Sequence, residues 1–213
     1  LMEDDLLASV DKASTVPIVG EEEELDPENE WLRTTPKPKP KLFSYDWANG
    51  YISPFRATPL ESLRELCNAI SERQLLKGEW RDQVVYDLGC GDGIVNVELA
   101  TEFGTRGVGL DLDEKLISQA KQLAVAKNVS HLVSFQVQDI LKTDMSEATV
   151  LFLYLLPDAL EKLKPVLKLA LDRPGVLLIV EQWPIVNWEQ YIVYNHNQNA
   201  FRVYASTAKS EGA

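Results

Sequence analysis

Apolar residues from about Ser53 onward follow two patterns, one with helical spacing and one of short uninterrupted runs. Apolar residues three and four positions apart predict an amphipathic helix, whereas a run of four to eight predicts a buried strand. The helical pattern covers residues 59–72, 94–103, 113–127 and 158–171, and the strand pattern covers residues 84–88, 106–110, 133–138, 149–153 and 176–180. Strands and helices therefore alternate along this part of the chain. Thr58 before Pro59 predicts that the first helix begins there, with Thr58 as its N-cap.

The five predicted strands carry almost no polar alternation, which is typical of strands buried on both faces of a parallel sheet. The last part of the chain differs, because residues 190–196 and 200–206 are rich in Val, Ile, Tyr and Phe and flank the polar turn Asn197-Gln198-Asn199. This pattern predicts an antiparallel hairpin. The predicted fold class is therefore α/β, a Rossmann-like open sheet that is mostly parallel and ends in a C-terminal antiparallel β-hairpin.

Residues 1–42 have a different composition from the rest. Four carboxylates follow one another at Glu21–Glu24, and proline alternates with lysine over Pro36–Lys41. Such a segment repels itself, and its prolines cannot join a helix interior or a central strand. We expect an acidic, flexible tail over residues 1–42 and one domain over residues 43–213.

The net charge of −12 narrows the range of partners. The net charge is −7 over residues 1–53 and −5 over residues 54–213. An acidic domain gains no counterion-release energy from a phosphate backbone, so we expect no stable nucleic-acid binding. A protein substrate or partner with basic character fits this charge better. The oligomeric state stays open.

Cysteine content and hydropathy further narrow the class of protein to which the chain can belong. Cys67 and Cys90 are the two cysteines, and they lack the paired spacing of a disulfide framework or a zinc site, so we expect no metal. The longest apolar run, Val150–Pro157, has the length of a strand and not of a membrane span. No basic segment followed by an apolar stretch opens the chain. We expect a cytoplasmic protein, and a nuclear location is also compatible.

The first predicted strand leads into the glycine-rich sequence Asp87-Leu88-Gly89-Cys90-Gly91-Asp92-Gly93. In an open α/β sheet, the turn after the first strand is where a cofactor approaches the backbone. The spacing is G-x-G-x-G and not the G-x-G-x-x-G of dinucleotide-binding enzymes. Asp87 and Asp92 would repel a pyrophosphate but suit the ammonium and sulfonium charges of S-adenosyl-L-methionine (AdoMet). The loop therefore favours AdoMet over NAD.

Two further carboxylates lie at predicted strand ends. Asp111 follows the second strand at the distance where an acidic residue accepts the ribose hydroxyls of a nucleotide cofactor. Asp139 lies at the end of the third strand, where it would accept a hydrogen bond from the adenine amino group while Ile140 packs near the ring. A carboxylate at one such position is often only a helix cap. Three carboxylates at the ends of the first three strands, Asp87, Asp111 and Asp139, together with a glycine loop point to a cofactor site.

These motifs, Val84–Gly93 and Val108–Asp113, resemble those of the seven-strand (class I) AdoMet-dependent methyltransferases. A narrower resemblance rests on Pro54–Pro59 and Phe152–Pro157. It is to the small group that contains the lysine methyltransferases of ATP synthase subunit c and the adenine nucleotide translocase. That resemblance implies that Phe55 and Thr58 line the AdoMet pocket and that Tyr154 faces the transferred methyl group. We expect the chain to differ from that group by lacking its membrane-targeting helix and by having an acidic tail instead.

Glu181 and Trp183 follow the fifth predicted strand, beside the expected substrate mouth. A carboxylate with an aromatic ring suits a lysine ammonium through charge and cation–π contact. The alternative is a loop that Trp183 and Trp188 anchor by packing.

The function predicted from the sequence is that of an AdoMet-dependent methyltransferase that acts on protein lysine. A small-molecule or RNA methyltransferase is an alternative. A non-catalytic module of the same fold that binds a partner is the alternative from a different class.

Overall fold

The computed structural model describes residues 56–198 and 200–206. Within them four helices and seven strands follow one another as α1 (Leu60–Glu72), β1 (Val84–Leu88), α2 (Ile94–Phe103), β2 (Arg106–Asp111), α3 (Glu114–Ala126), β3 (Val133–Val137), β4 (Val150–Leu153), α4 (Pro157–Leu171), β5 (Leu177–Glu181), β6 (Ile192–His196) and β7 (Phe201–Ala205). Short 3-10 turns lie at Trp80–Asp82, Ile140–Lys142 and Glu189–Tyr191.

The seven strands form one sheet in the order β3-β2-β1-β4-β5-β7-β6. Strands β1 to β5 run parallel to one another, whereas β7 is antiparallel to both β5 and β6. The chain moves outward from β1 to β3 and then returns to β4 on the other side of β1, so the strand order reverses between β1 and β4. Ligands of open α/β sheets bind beyond the carboxyl ends of the strands at such a reversal. The predicted fold class is confirmed.

Helices cover both faces of the sheet, and the alternation of side chains along each strand decides which helices a residue meets. Val85 of β1 lies in one apolar cluster with Leu66 of α1 and Leu99 of α2. The next residue, Tyr86, lies in a second cluster with Leu163 of α4. Because successive side chains face opposite ways, Asp87 shares the face of Val85 and is directed toward α1 and α2.

The bounds predicted from the sequence hold within two residues, but three local predictions were wrong. Thr58 is not the N-cap of α1, because Pro59 occupies that position and the Thr58 hydroxyl donates to the Glu181 carboxylate at 2.7 Å. An N-cap hydroxyl would accept a backbone N–H of the helix, whereas the Thr58 hydroxyl donates to a buried carboxylate in a charge-assisted hydrogen bond. Glu181 does not follow β5 but is its last residue, because it pairs with Phe201 of β7.

The third correction concerns Asp139, which lies beyond the end of β3. The strand stops at Val137, and Asp139 instead begins the short turn Ile140–Lys142, where its Oδ1 accepts the Leu141 N–H at 3.0 Å. A local side-chain-to-backbone hydrogen bond of this kind competes with strand pairing and ends it.

Three sequence predictions fall outside the described residues: the tail over residues 1–42, the contribution of Phe55, and the Asn199 position of the hairpin turn. In the part of the chain that the structure describes, no helix combines the length and the apolar character needed to cross a membrane.

Gly93 and Gly104 flank α2 and allow a matched test of how tightly its amino end packs. Both have left-handed backbone, with φ of 77° and 69°. A Cβ at Gly93 would lie 2.6 Å from both Ala120 Cβ and Phe135 Cε1, whereas at Gly104 the nearest atom is 3.9 Å away. Each alanine substitution costs about 1–2 kcal/mol for the left-handed backbone. We expect Gly93→Ala to lose roughly 1–3 kcal/mol more through overpacking.

Urea denaturation of the two variants measures this difference in the free energy of unfolding. Equal losses for Gly93→Ala and Gly104→Ala would mean that the loop shifts to make room, and that backbone strain alone constrains Gly93.

Candidate active site

The glycine loop between β1 and α2 is fixed to the end of β2 by its own backbone. The N–H groups of Gly89 and Cys90 both donate to the Leu110 carbonyl, at 2.8 and 3.0 Å. The Gly91 N–H donates to Oδ2 of Asp111 at 2.9 Å. Gly91 has a φ of 54°, a left-handed value that favours glycine. The loop therefore lies across the carboxyl ends of β1 and β2, and its amides are fixed by hydrogen bonds to the end of β2.

The three loop glycines serve different purposes. A Cβ at Gly89 would meet the end of the Leu155 side chain at 2.9 Å, whereas one at Gly93 would meet the core. Gly109 of β2 is under similar pressure, since its Cβ would lie 2.4 Å from Phe135 Cδ1 and 2.9 Å from Cys90 Sγ. Sequence reasoning missed Gly109, although a second glycine inside a strand was the available signal. Gly93 and Gly109 allow the loop, α3 and β3 to pack closely.

Asp111 holds a fixed orientation at the end of β2. Its Oδ2 accepts the Gly91 N–H and its Oδ1 accepts the N–H of Asp113, each at 2.9 Å. A carboxylate offers about four lone-pair sites, so each oxygen can still accept a further hydrogen bond. The side chain is only half-buried, and it remains available to a ligand with paired hydroxyls.

Four carboxylates, Asp87, Asp92, Asp111 and Glu181, form what we call the carboxylate cluster. Asp87 is 3% exposed, and burial raises its pKa well above the usual range. The charges of Asp111, Glu181 and Asp92 raise it further. Within residues 56–198 and 200–206, no member of the cluster forms an ion pair. A positively charged ligand would relieve this repulsion.

Glu181 links β5 to the segment that precedes α1. It is 5% exposed, and its Oε2 accepts the hydroxyl proton of the buried Thr58 at 2.7 Å. Burial raises the pKa of Glu181 to about 7, while the Thr58 hydrogen bond and the positive charge of Arg56 act in the opposite direction. The structure thus brings two predicted site residues, Thr58 and Glu181, into direct contact.

Tyr154 lies just after β4, next to β5 in the sheet. Its hydroxyl donates to Oε1 of Gln182 at 2.6 Å. Burial raises the pKa of Tyr154, and the negative charge of Glu181 adds to this, whereas Arg56 lowers it. Gln182 was missed by sequence reasoning, because nothing in the residue type alone marks it as a partner of Tyr154. Its backbone has a φ of 64°, which is uncommon for a residue with a Cβ.

Asp139 and Ile140 lie past the edge strand β3, farther along the same side of the sheet. Oδ2 of Asp139 is 3.2 Å from the Lys142 ammonium. Ile140 is 8% exposed and belongs to the apolar cluster beneath α4. Two apolar side chains beside them, Val137 and Leu141, are 51% and 43% exposed, and sequence reasoning had not singled them out.

Trp188 holds the segment after β5 by packing. Trp188 is buried and packs edge-on against Tyr191 and Tyr204, with ring centroids 5.5 and 6.5 Å apart. The Ile185 N–H also donates to the Tyr204 hydroxyl at 3.1 Å. Trp183, the residue after Gln182, is 37% exposed.

The carboxyl edge of β1, β4 and β5 therefore collects most of the predicted site. Backbone amides, Asp111, buried Asp87 and the Thr58–Glu181 pair lie there together with Tyr154, and Asp139 stands farther along the edge. In the described ranges, no group of three or more His, Cys, Asp or Glu side chains could hold a metal ion. Such a site can bind a cation that carries vicinal hydroxyls and can place a tyrosine hydroxyl beside it.

Comparison with known proteins gives this arrangement a family. Residues 87–192 match the family model described as the ANTKMT methyltransferase domain. A protein-lysine N-methyltransferase of Saccharolobus islandicus (strain REY15A) is 30% identical over 136 residues, which are 63% of this chain and 80% of that protein. A tocopherol O-methyltransferase of Arabidopsis thaliana is 30% identical over 105 residues, but these are only 30% of that protein.

A solved structure extends the likeness to three dimensions. An RNA methyltransferase from Salinibacter ruber, in complex with S-adenosyl-L-homocysteine, is 32% identical to this chain with a TM-score of 0.59. The match covers 70% of this chain and 91% of that one. S-Adenosyl-L-homocysteine is AdoMet without its transferable methyl group. The chain belongs to the class I AdoMet-dependent methyltransferases, in the group that the ANTKMT methyltransferase domain describes, and its cofactor is AdoMet.

Proposed function

We propose that the protein is a protein-lysine N-methyltransferase. The observation that carries the proposal is the carboxylate cluster, which has no ion-pair partner in the described part of the chain, with Glu181 beside Tyr154 at the ends of β5 and β4. A negatively charged site attracts a cationic chain and repels a phosphate backbone. The protein-lysine N-methyltransferase of Saccharolobus islandicus supports the same substrate class.

For the cofactor, we propose that Asp111 accepts the ribose hydroxyls, because two backbone N–H groups already orient its carboxylate. Gly89 and Gly91 would let the cofactor approach the loop backbone, while Gly93 contributes by keeping α2 packed. Asp139 and Ile140 remain our candidates for the adenine end, together with the exposed Val137 and Leu141.

The residues present fit AdoMet by charge. Asp87 has no ion-pair partner among the described residues, and its carboxyl has a raised pKa because it is buried and because other carboxylates surround it. A ligand with ammonium and sulfonium charges compensates such a group, whereas a pyrophosphate would add to the repulsion. When bound, AdoMet supplies a methyl group that is activated by the positive sulfur. Thr58, which is buried against Glu181, would close the pocket from the α1 side.

The protein's part in methyl transfer is to attract and align the nucleophile. A lysine arrives as an ammonium ion, and Glu181 would attract it and accept its proton, since the carboxyl has a pKa near 7. Tyr154 would then align the neutral amine through its hydroxyl. Alignment of two bound reactants can supply much of the acceleration without a covalent intermediate. Trp183 would contact the aliphatic part of the lysine or its charge.

RNA is the second candidate substrate, favoured by the Salinibacter ruber relative. The domain's excess of five acidic residues over residues 54–213 counts against a long RNA contact. A small molecule is a third, in line with the plant relative.

The cofactor assignment is tested by Asp111→Asn, with Asp113→Asn as the matched control. Asp113 is the neighbouring N-cap of α3, and asparagine is an equally good cap there. We expect Asp111→Asn to weaken AdoMet binding by roughly 1.5–3 kcal/mol, because a charged acceptor is lost. Isothermal titration of both variants measures this. An unchanged affinity for Asp111→Asn would remove Asp111 from the site.

Glu181→Gln should make the protein more stable and less active at neutral pH. A carboxyl with a pKa of about 7 when folded and about 4.5 when unfolded binds more protons in the folded state, so its contribution to stability is lost as pH rises from 4.5 to 7. The glutamine cannot ionise and still accepts the Thr58 hydroxyl. Above pH 7 we expect it to raise the free energy of unfolding by on the order of 2 kcal/mol.

Thermal melts of Glu181→Gln between pH 5 and 8 test the stability, and methyl transfer over the same range tests the activity. Wild-type activity should rise through pH 7, and the variant should lack this rise. Glu102→Gln, an exposed carboxylate on α2, is the control. Parallel stability profiles for wild type and Glu181→Gln would show that Glu181 is already ionised at pH 5.

Substrate class is tested with protein, RNA and small-molecule fractions of a cell extract incubated with labelled AdoMet. We expect label that survives nuclease, is released by protease and maps to lysine by mass spectrometry. Asp111→Asn serves as the low-activity control. Label that disappears with nuclease, or that stays in the small-molecule fraction, would contradict the lysine proposal and support the corresponding alternative.

A further inference from the structure

We propose that Gln182 is a positioning residue that accepts a hydrogen bond from the Tyr154 hydroxyl, so that the Tyr154 oxygen faces the substrate as a hydrogen-bond acceptor only. This inference rests on the proposed function in one respect, since it places the reacting nitrogen beside Tyr154. It makes Gln182 a determinant of which nucleophiles the site accepts, namely those that carry an N–H or O–H to donate.

The backbone of Gln182 is held in place from β7. Its N–H donates to the Ala200 carbonyl at 2.6 Å, and its carbonyl accepts from Nη1 of Arg202 at 2.9 Å. These two contacts accompany the left-handed φ of 64°, which a residue with a Cβ adopts rarely and only when its surroundings impose it. Uncommon backbone of this kind is concentrated at functional sites.

This local turn takes Gln182 out of the alternation of β5. Glu181 is the last paired residue of the strand and contacts Thr58. Gln182 reaches across to the next strand and accepts the Tyr154 hydroxyl at 2.6 Å, a short distance for a hydrogen bond between neutral groups. Two adjacent residues at the end of β5 thus accept hydrogen bonds from two different elements, the segment before α1 and the end of β4.

The chemical consequence follows from the hydrogen-bonding capacity of a phenol. A phenolic hydroxyl can donate one hydrogen bond, and here Gln182 accepts it. The lone pairs of the oxygen can then accept an N–H from the substrate. The hydroxyl has no second proton to donate to a substrate atom that is only an acceptor. Burial and the charge of Glu181 raise the pKa of Tyr154, which keeps the phenol protonated and the link to Gln182 intact.

An amine held in this way keeps its own lone pair free for the methyl carbon. The proton lost is that of the incoming ammonium, which Glu181 accepts before the attack. In the transfer itself one N–C bond forms as the S–C bond breaks, S-adenosyl-L-homocysteine leaves, and the positive charge passes from sulfur to the methylated nitrogen. A nucleophile without an N–H or O–H to donate, such as a carboxylate, finds no partner at Tyr154.

The test uses four variants of the full chain: Gln182→Met, Gln182→Glu, Tyr154→Phe and the double variant Tyr154→Phe/Gln182→Met. Methionine keeps the length of the side chain and removes the acceptor, whereas glutamate restores an acceptor. Gln74→Met is the matched control, because Gln74 is an exposed glutamine with a similar left-handed φ of 55°. Initial rates are measured with labelled AdoMet on whichever extract fraction the wild-type enzyme labels, and AdoMet affinity is measured by titration.

We expect Gln182→Met and Tyr154→Phe each to lower turnover by roughly five- to tenfold while AdoMet affinity stays unchanged. Gln182→Glu should restore most of the rate once the new carboxylate is ionised, so its activity should rise with pH. The double variant should be no slower than Tyr154→Phe alone, because both changes remove one linked function. Gln74→Met should match wild type.

Multiplicative losses in the double variant would overturn the proposal, since Gln182 would then act independently of Tyr154. A fall in AdoMet affinity or melting temperature for Gln182→Met alone would assign it a structural role instead. These outcomes are separate from the substrate test. If the wild type labels RNA or a small molecule, the lysine proposal fails, while the comparison among the Gln182 and Tyr154 variants is still measured on that acceptor.

Discussion

The repulsion among buried carboxylates at one sheet edge is the interaction on which the site depends. Parallel strands end on the same side of a sheet, so Asp87 of β1, Asp111 of β2 and Glu181 of β5 converge once the strands pair. Burial of Asp87 makes its negative charge costly, and its neighbours add to that cost. The fold accepts this destabilisation because the same groups favour a cationic ligand, so stability and binding oppose each other in the unliganded protein.

Close packing around the glycine loop makes this arrangement rigid. Gly93 and Gly109 leave no room for a side chain beside Phe135, and the loop amides are fixed to the end of β2. Asp111 is oriented by Gly91 and Asp113 before any ligand arrives. A preorganised acceptor pays little conformational entropy on binding. The rigid half of the site therefore lies between β1 and β2, where the family's cofactor motifs lie.

The other half of the site lies between β4 and β5. It is built from side chains that contact one another: Thr58 with Glu181, and Tyr154 with Gln182. Its relatives act on protein, RNA and a small molecule according to their names, so the fold does not fix the substrate. We infer that the residues of this half decide it, namely the buried Glu181, the partly exposed Trp183 and Tyr154, whose hydroxyl already donates to Gln182.

The sequence by itself determined the alternation of strands and helices, the class of fold, the glycine loop and the cofactor. These follow from short-range patterns, since apolar periodicity and the spacing of Gly89, Gly91 and Asp111 are legible along the chain. Tertiary structure alone decided the rest. Thr58 donates to Glu181 and does not cap α1, Gln182 accepts the Tyr154 hydroxyl, and Gly109 leaves room for the Phe135 ring. Each of these partners comes from a distant part of the chain. The pairing of Glu181 with Phe201 likewise depends on β7 lying between β5 and β6, an order that local periodicity does not encode.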